Sequence, residues 1–131
     1  MALIAHYKFD GNALDSSGNK FHGTAVNPSY TSGRIAESMY FDGTTNPYVQ
    51  IPNEVMKNLS EFSISMWYNC VEFNDRFLLS ARLQAADNWV LISVNSGSIV
   101  TYTCAVSNSF ASTNSTGTWD NLIYTRDRQG N

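Results

Sequence analysis

Charged side chains are scarce in this chain of 131 residues: 8 are Lys or Arg and 11 are Asp or Glu, together 15% of the sequence. The formal net charge is -3, and like charges never form a run. Proteins that bind nucleic acid draw much of their affinity from basic side chains that neutralise phosphates, so the sequence predicts no nucleic-acid partner. No apolar run reaches the about 20 residues of a membrane-spanning helix, which predicts no membrane insertion.

Signals for export and for cysteine-based sites are also missing. No basic segment followed by a short apolar run opens the sequence, so no secretory signal peptide is visible. The two cysteines, Cys70 and Cys104, are too few for a disulfide framework or a zinc cluster. Their spacing permits one disulfide, and two reduced thiols in the core are the favoured alternative.

Uncharged polar residues are abundant instead, with 16 Ser, 10 Thr and 14 Asn, and there are 3 Trp, 7 Tyr and 7 Phe. Ser, Thr and Asn compete with the backbone hydrogen bonds of a helix, and aromatic residues favour sheets. Apolar and polar residues alternate in short stretches bounded by turn residues. The sequence therefore predicts an all-β protein of one domain, 1–131, with strands at Leu3–Phe9, Lys20–Val26, Ser38–Phe41, Tyr48–Ile51, Phe62–Val71, Arg76–Arg82, Trp89–Val94, Ile99–Val106 and Leu122–Arg126.

The fifth predicted strand has an apolar face and a mixed face, because Phe62, Ile64 and Met66 alternate with Ser63, Ser65 and Trp67. A helical turn is predicted at Asn53–Leu59, and a hairpin turn at Asn95–Ser98. The polar segment Ser107–Thr118 is predicted to be a loop, with a short edge strand around Phe110.

Six blocks follow one another along the chain: Tyr7-Lys8-Phe9-Asp10-Gly11-Asn12; Asp15-Ser16-Ser17-Gly18-Asn19 with His22-Gly23; Phe41-Asp42-Gly43; Tyr48-Val49-Gln50-Ile51-Pro52; Phe62-Ser63-Ile64-Ser65-Met66-Trp67; and Trp119 followed by Tyr124-Thr125-Arg126-Asp127. Their order and spacing resemble the laminin-G-like branch of the concanavalin A-like lectin/glucanase superfamily. The resemblance implies a jelly-roll sandwich of two antiparallel sheets, often with a calcium ion and a carbohydrate or protein ligand. Members of that family usually continue into another strand pair, so we expect the chain to continue beyond Asn131; the alternative is that the last positions of the sheet are left open.

Asp, Asn and Gly are concentrated between Asp10 and Asn19. Calcium takes several oxygen ligands, so such a turn suits it. For a calcium site we predict Asp15, Asn19 and Asp42 as ligands. The alternative is that these side chains form Asx-turns and cap backbone amides, and the sequence leaves both open.

Sugar rings stack on aromatic side chains that polar groups surround. Trp89 and Tyr48 each open a predicted strand beside a turn, and both are candidate ligand-binding residues, with packing in the core or at its rim as the alternative. Trp67 and Trp119 lie in the family blocks, so we expect both to pack in the core.

Retaining glucanases of the resembled superfamily present two carboxylates about 5 Å apart from one strand. None of the four Glu residues here, at positions 37, 54, 61 and 72, has a second carboxylate two residues away. We therefore predict no enzyme, but a non-catalytic lectin-like binding or adhesion module on a virion or cell surface. The alternative is a structural or decoration protein of a phage capsid or tail, in which the sandwich packs on other virion proteins.

Overall fold

The computed structural model of the chain describes residues 2–72, 76–82, 89–95, 98–103, 106–111 and 116–127. Backbone contacts group the chain into two compact units, Met1–Val55 (unit 1) and Met56–Asn131 (unit 2), and each is described by itself. The single domain of the sequence analysis stays a prediction.

The described residues are mostly strand, which confirms the predicted all-β class. Helix is confined there to a 3-10 turn at Asn53–Val55, inside the predicted helical turn, where Val55 N–H donates to Pro52 O at 3.1 Å. The strands are β1 (Thr24–Val26), β2 (Ser29–Ser32), β3 (Glu37–Tyr40), β4 (Tyr48–Gln50), β5 (Phe62–Asn69), β6 (Arg76–Arg82), β7 (Trp89–Asn95), β8 (Ser98–Thr103), β9 (Val106–Ala111) and β10 (Trp119–Arg126).

Unit 1 contains two antiparallel strand pairs, β1 with β4 and β2 with β3. The strand predicted at Leu3–Phe9 is wrong, because this segment forms only an isolated bridge, between Tyr7 and Asp15, among the described residues. Strand β2 was missed by the sequence analysis. Its short polar sequence, SYTS, has no apolar alternation to mark it.

The β2–β3 turn depends on a glycine. Gly33 N–H donates to Ala36 O at 2.8 Å and closes the turn. A Cβ added to Gly33 would lie 2.5 Å from the carbonyl oxygen of Glu37 and 2.7 Å from its carbonyl carbon. Backbone atoms cannot give way as the end of a side chain can, so residue 33 must lack a side chain.

Unit 2 contains a four-stranded antiparallel sheet in the order β6-β7-β8-β9 and a two-stranded ribbon of β5 and β10. Asn95 pairs with Ser98 at the end of the β7–β8 hairpin, where the sequence predicts a turn. The loop predicted at Ser107–Thr118 is wrong over residues 107–111, which belong to strand β9. Strand β9 pairs with β8 along its whole length, with Ile99 opposite Phe110. The short edge strand predicted around Phe110 is therefore present but longer than predicted.

The core of unit 2 centres on β7. Val90 and Ile92 are fully buried and cluster with Phe62 of β5. Partly buried apolar side chains from both sheets pack against that cluster: Ile64 and Met66 of β5, Leu78 and Leu79 of β6, Ile99 of β8, and Leu122 and Tyr124 of β10. The apolar residues of β5 and β10 therefore face inward, and the residues that alternate with them face outward. No helix among the described residues is long and apolar enough to cross a membrane.

Candidate functional site

Asp15 is the centre of a hydrogen-bond network in unit 1 and is buried. Its Oδ1 accepts the backbone N–H groups of His6 at 2.9 Å and Ser17 at 2.8 Å. Its Oδ2 accepts the Ser17 hydroxyl at 2.8 Å and the Phe21 N–H at 3.0 Å. The Asp15 N–H in turn donates to Nδ1 of His22 at 3.1 Å. Both carboxylate oxygens are thus engaged by the chain itself.

This network lowers the pKa of Asp15. Burial by itself raises that pKa, but the hydrogen bonds from His6, Ser17 and Phe21 stabilise the charged form and outweigh burial, so the pKa lies well below its usual range. Burial, and then the charge of Asp15, raise the pKa of Tyr7. The Tyr7 hydroxyl donates to Phe21 O at 2.6 Å, so it binds the same loop as the carboxylate.

Asn19 and Ser17 hold the amino-terminal segment through its backbone. The Asn19 Nδ2 donates to the carbonyl oxygens of Leu3 at 3.1 Å and Ile4 at 2.9 Å. The Ser17 hydroxyl lies 3.1 Å from Ile4 O, and Ser16 N–H donates to His6 O at 2.7 Å. Side chains of residues 15–19 therefore replace the strand partner that the Leu3–Phe9 prediction required.

Asp42 organises a different loop. Its Oδ1 accepts the N–H groups of Thr44 at 2.8 Å and Thr45 at 3.0 Å, and the Thr45 hydroxyl lies 3.0 Å from Oδ2. The backbone hydrogen bonds from Thr45 and Thr44 lower the pKa of Asp42. Asp42 therefore caps the loop that leads into β4.

Calcium binding by Asp15, Asn19 and Asp42 stays a prediction. Among the described residues, no group of three or more His, Cys, Asp or Glu lies close enough together to hold a metal ion. The oxygens of Asp15 and Asp42 accept hydrogen bonds from the chain, and the Asn19 amide is anchored on backbone carbonyls through its Nδ2. The geometry favours the second alternative of the sequence analysis, Asx-turns and amide caps.

Of the two cysteines, only Cys70 lies in the described part of the chain. Cys70 carries a free, half-buried thiol. Burial, followed by the nearby charge of Asp120, raises the pKa of that thiol, which disfavours the reactive thiolate. Cys104 lies outside the described residues.

Tyr48 and Trp89 are the two predicted sugar-stacking residues, and the structure describes the side chain of Tyr48 alone. Tyr48, the first residue of β4, is 51% exposed. It stands opposite Val26, and the next cross-strand pair on its face is Thr24 with Gln50. Trp89 is the first residue of β7, and its side chain lies outside the described residues. Only Tyr48 can therefore be placed on a surface.

The outer face of the β5–β10 ribbon carries an aromatic residue that the sequence analysis assigned to the core. Trp67 is 51% exposed, so that assignment is wrong for Trp67, whereas Trp119 on the same face is half-buried. The strand alternation already contained this signal, because it put Trp67 with Ser63 and Ser65 on the mixed face. The period of the strand is therefore a better guide to the position of Trp67 than the family blocks are.

Polar side chains surround Trp67 on this face. Asn121 lies directly opposite it, and Ile123, opposite Ser65, is 66% exposed. The Asn121 Nδ2 donates to Met66 O at 3.2 Å and to Ser65 Oγ at 3.4 Å.

Hydrogen bonds also fix the two ends of this face. Asn69 Nδ2 donates to Gly117 O at 3.3 Å, and Ser63 and Thr125 join their hydroxyls at 3.0 Å. We call Ser63, Ser65, Trp67, Asn69, Trp119, Asn121, Ile123 and Thr125 the ribbon face.

No protein-family model, curated protein or solved structure matches the chain.

Proposed function

We propose that this chain is a non-catalytic, lectin-like binding module that recognises carbohydrate through the ribbon face. A jelly-roll sandwich and display on a virion or cell surface belong to the same proposal. The observation that carries it is the exposure of Trp67, at 51%, in the middle of a strand whose other face packs in the core.

The chemistry around Trp67 supports a sugar ligand. The C–H faces of a pyranose ring are apolar and stack on an aromatic side chain, while its hydroxyls need hydrogen-bonding partners at the ring edge. On the ribbon face, Asn121 and Ser65 lie beside the indole, and both are exposed. A flat aromatic surface bordered by uncharged hydrogen-bonding groups matches both needs.

A glycan array, run with calcium and again with a chelator, tests this proposal. We expect binding of at least one glycan by the intact chain, and loss of that signal in Trp67→Ala. Phe77→Ala is the matched control, because Phe77 is also an exposed aromatic residue of unit 2, at 67%, but belongs to β6. Absence of binding in both conditions would overturn the proposal.

Tyr48→Ala belongs in the same experiment, because Tyr48 is as exposed as Trp67. Loss of binding in Tyr48→Ala together with full binding in Trp67→Ala would move the site to unit 1, as the sequence analysis predicted. The reverse result supports the ribbon face.

The alternative function is that of a structural or decoration protein of a phage particle. Neighbouring proteins in a particle would cover exposed apolar side chains such as those of Ile35, at 93%, and Val71, at 70%. Electron microscopy of native particles tests this role: density for the chain between capsid or tail subunits is expected, and its absence from such particles would refute it.

A further inference from the structure

We infer that the ribbon face selects uncharged saccharides and binds them without a metal ion. This inference rests on the proposed carbohydrate-binding function and adds the class of ligand.

The first observation is the absence of charge on the ribbon face. Its eight residues, all within the described part of the chain, are two Ser, two Asn, two Trp, one Ile and one Thr. The charged residues of β10, Asp120 and Arg126, stand opposite the buried Tyr68 and Phe62, which puts them on the inner side. An acidic sugar brought onto this face would lose hydration without gaining a cationic partner, which is unfavourable.

The second observation is the orientation of the Asn121 amide. A carbonyl oxygen can only accept a hydrogen bond, so the group that faces Met66 O must be the NH₂ group. Its two hydrogens point to Met66 O and Ser65 Oγ, which leaves Oδ1 of this exposed side chain as the group presented to a ligand. The Asn69 amide is anchored in the same way, through Nδ2 on Gly117 O.

Trp67 is therefore accompanied by two amide oxygens that accept hydrogen bonds. A ligand that fits must bring donors, and sugar hydroxyls do so. When they are ionised, carboxylate and sulfate groups can accept hydrogen bonds but cannot donate them. On this face they would meet other acceptors. The hydrogen-bonding pattern and the lack of charge thus both exclude acidic saccharides.

Independence from metal follows from the same residues. Calcium sites in proteins rely on carboxylates among several oxygen ligands, and the ribbon face has no carboxylate. Salt also has little effect on contacts between uncharged groups, because screening acts on charges.

The test compares uncharged and acidic oligosaccharides of equal length. Maltohexaose, cellohexaose and mannohexaose are the uncharged probes, and hexagalacturonate is the acidic probe, each titrated by calorimetry against the intact chain in calcium and in chelator. We expect at least one uncharged probe to bind with the same affinity in both buffers and more tightly than hexagalacturonate.

Two variants on the ribbon face and one control complete the design. Trp67→Ala should weaken binding of the uncharged probe by about tenfold, the stacking contribution of one aromatic ring. Asn121→Leu keeps the size of the side chain but removes the acceptor, and should weaken binding by about fivefold. Phe77→Ala should stay within about twofold of the intact chain. The melting temperature of each variant checks that the fold is retained.

The outcomes separate this inference from the proposed function. Tighter binding of hexagalacturonate, or loss of binding in chelator, would overturn the inference while a Trp67-dependent signal would keep the carbohydrate-binding function. Binding that Asn121→Leu leaves unchanged would overturn the assigned role of the amide. No Trp67-dependent binding of any probe would overturn both.

Discussion

Truncation of Ile92 is the sharpest test of the core of unit 2. Ile92 is completely buried in the middle of β7, in contact with the cluster around Phe62. Ile92→Ala removes three carbon atoms, which is about 2.4 kcal/mol of hydrophobic transfer at about 0.8 kcal/mol each. The cavity left behind adds to this, and measured costs for such changes span about 2–5 kcal/mol. We expect a loss of about 3–4 kcal/mol in the free energy of unfolding.

Tryptophan fluorescence during urea unfolding measures this loss, because Trp67, Trp89 and Trp119 all belong to unit 2. With a urea dependence of about 2 kcal/mol per molar, the unfolding midpoint should fall by about 1.5–2 M. Ile92→Val removes a single carbon and should cost about 1 kcal/mol.

Phe77→Ala serves as the exposed control and should change stability by no more than about 0.5 kcal/mol. A loss below about 1 kcal/mol in Ile92→Ala, or equal losses in Ile92→Ala and Phe77→Ala, would refute the assignment of β7 to the centre of this core.

Two further predictions concern unit 1. Asp15→Asn should lower stability, because the new NH₂ group faces N–H donors. Because the folded-state pKa of Asp15 is lowered, its contribution is complete above the ordinary Asp value of about 4 and is lost as the pH falls below it. Circular dichroism melts across this range should show a weaker acid dependence in the variant, and an unchanged dependence would contradict this. Gly33→Ala should cost about 1–3 kcal/mol, because the added Cβ meets the backbone of Glu37. Ser32→Ala is its control, because Ser32 is the exposed neighbour of Gly33 in β2 and an exposed substitution of this kind should change stability by no more than about 0.5 kcal/mol. Equal thermal shifts in the two variants would refute the role of the tight turn.

The predicted class and most strands came from alternation of apolar and polar residues, and where alternation is strong the prediction was close. The predicted Arg76–Arg82 coincides with β6, and the predicted Phe62–Val71 covers β5. Alternation gave the wrong prediction for Leu3–Phe9, because this segment has no partner strand in the structure. Hydrogen bonds with the side chains of Asp15, Ser17 and Asn19 hold it instead. Alternation indicated only the part of β9 around Phe110, because the other residues of this strand are mostly polar and pair with β8.

The candidate site, like the fold, could be predicted only in part from the sequence. The position of Tyr48 after a turn allows either an exposed stacking surface or packing in the core or at its rim, and the structure has Tyr48 exposed. Trp67 was misassigned because a family resemblance outweighed the period of its strand. The direction of the Asn121 amide lay beyond sequence reasoning altogether, since it depends on two partners about 55 residues away.

The way residues 15–19 hold the amino-terminal segment has a consequence for sequence variation. The groups that are bound in that segment are main-chain atoms, the carbonyls of Leu3 and Ile4 and both backbone groups of His6. Every amino acid supplies the carbonyl, and every amino acid except proline supplies the N–H needed at position 6. Leu3 and His6 have exposed side chains, so substitutions there should leave these hydrogen bonds in place, whereas substitutions of Asp15 or Asn19 remove them. The attachment of this segment therefore depends more on the side chains of residues 15–19 than on those of Leu3 and His6 themselves.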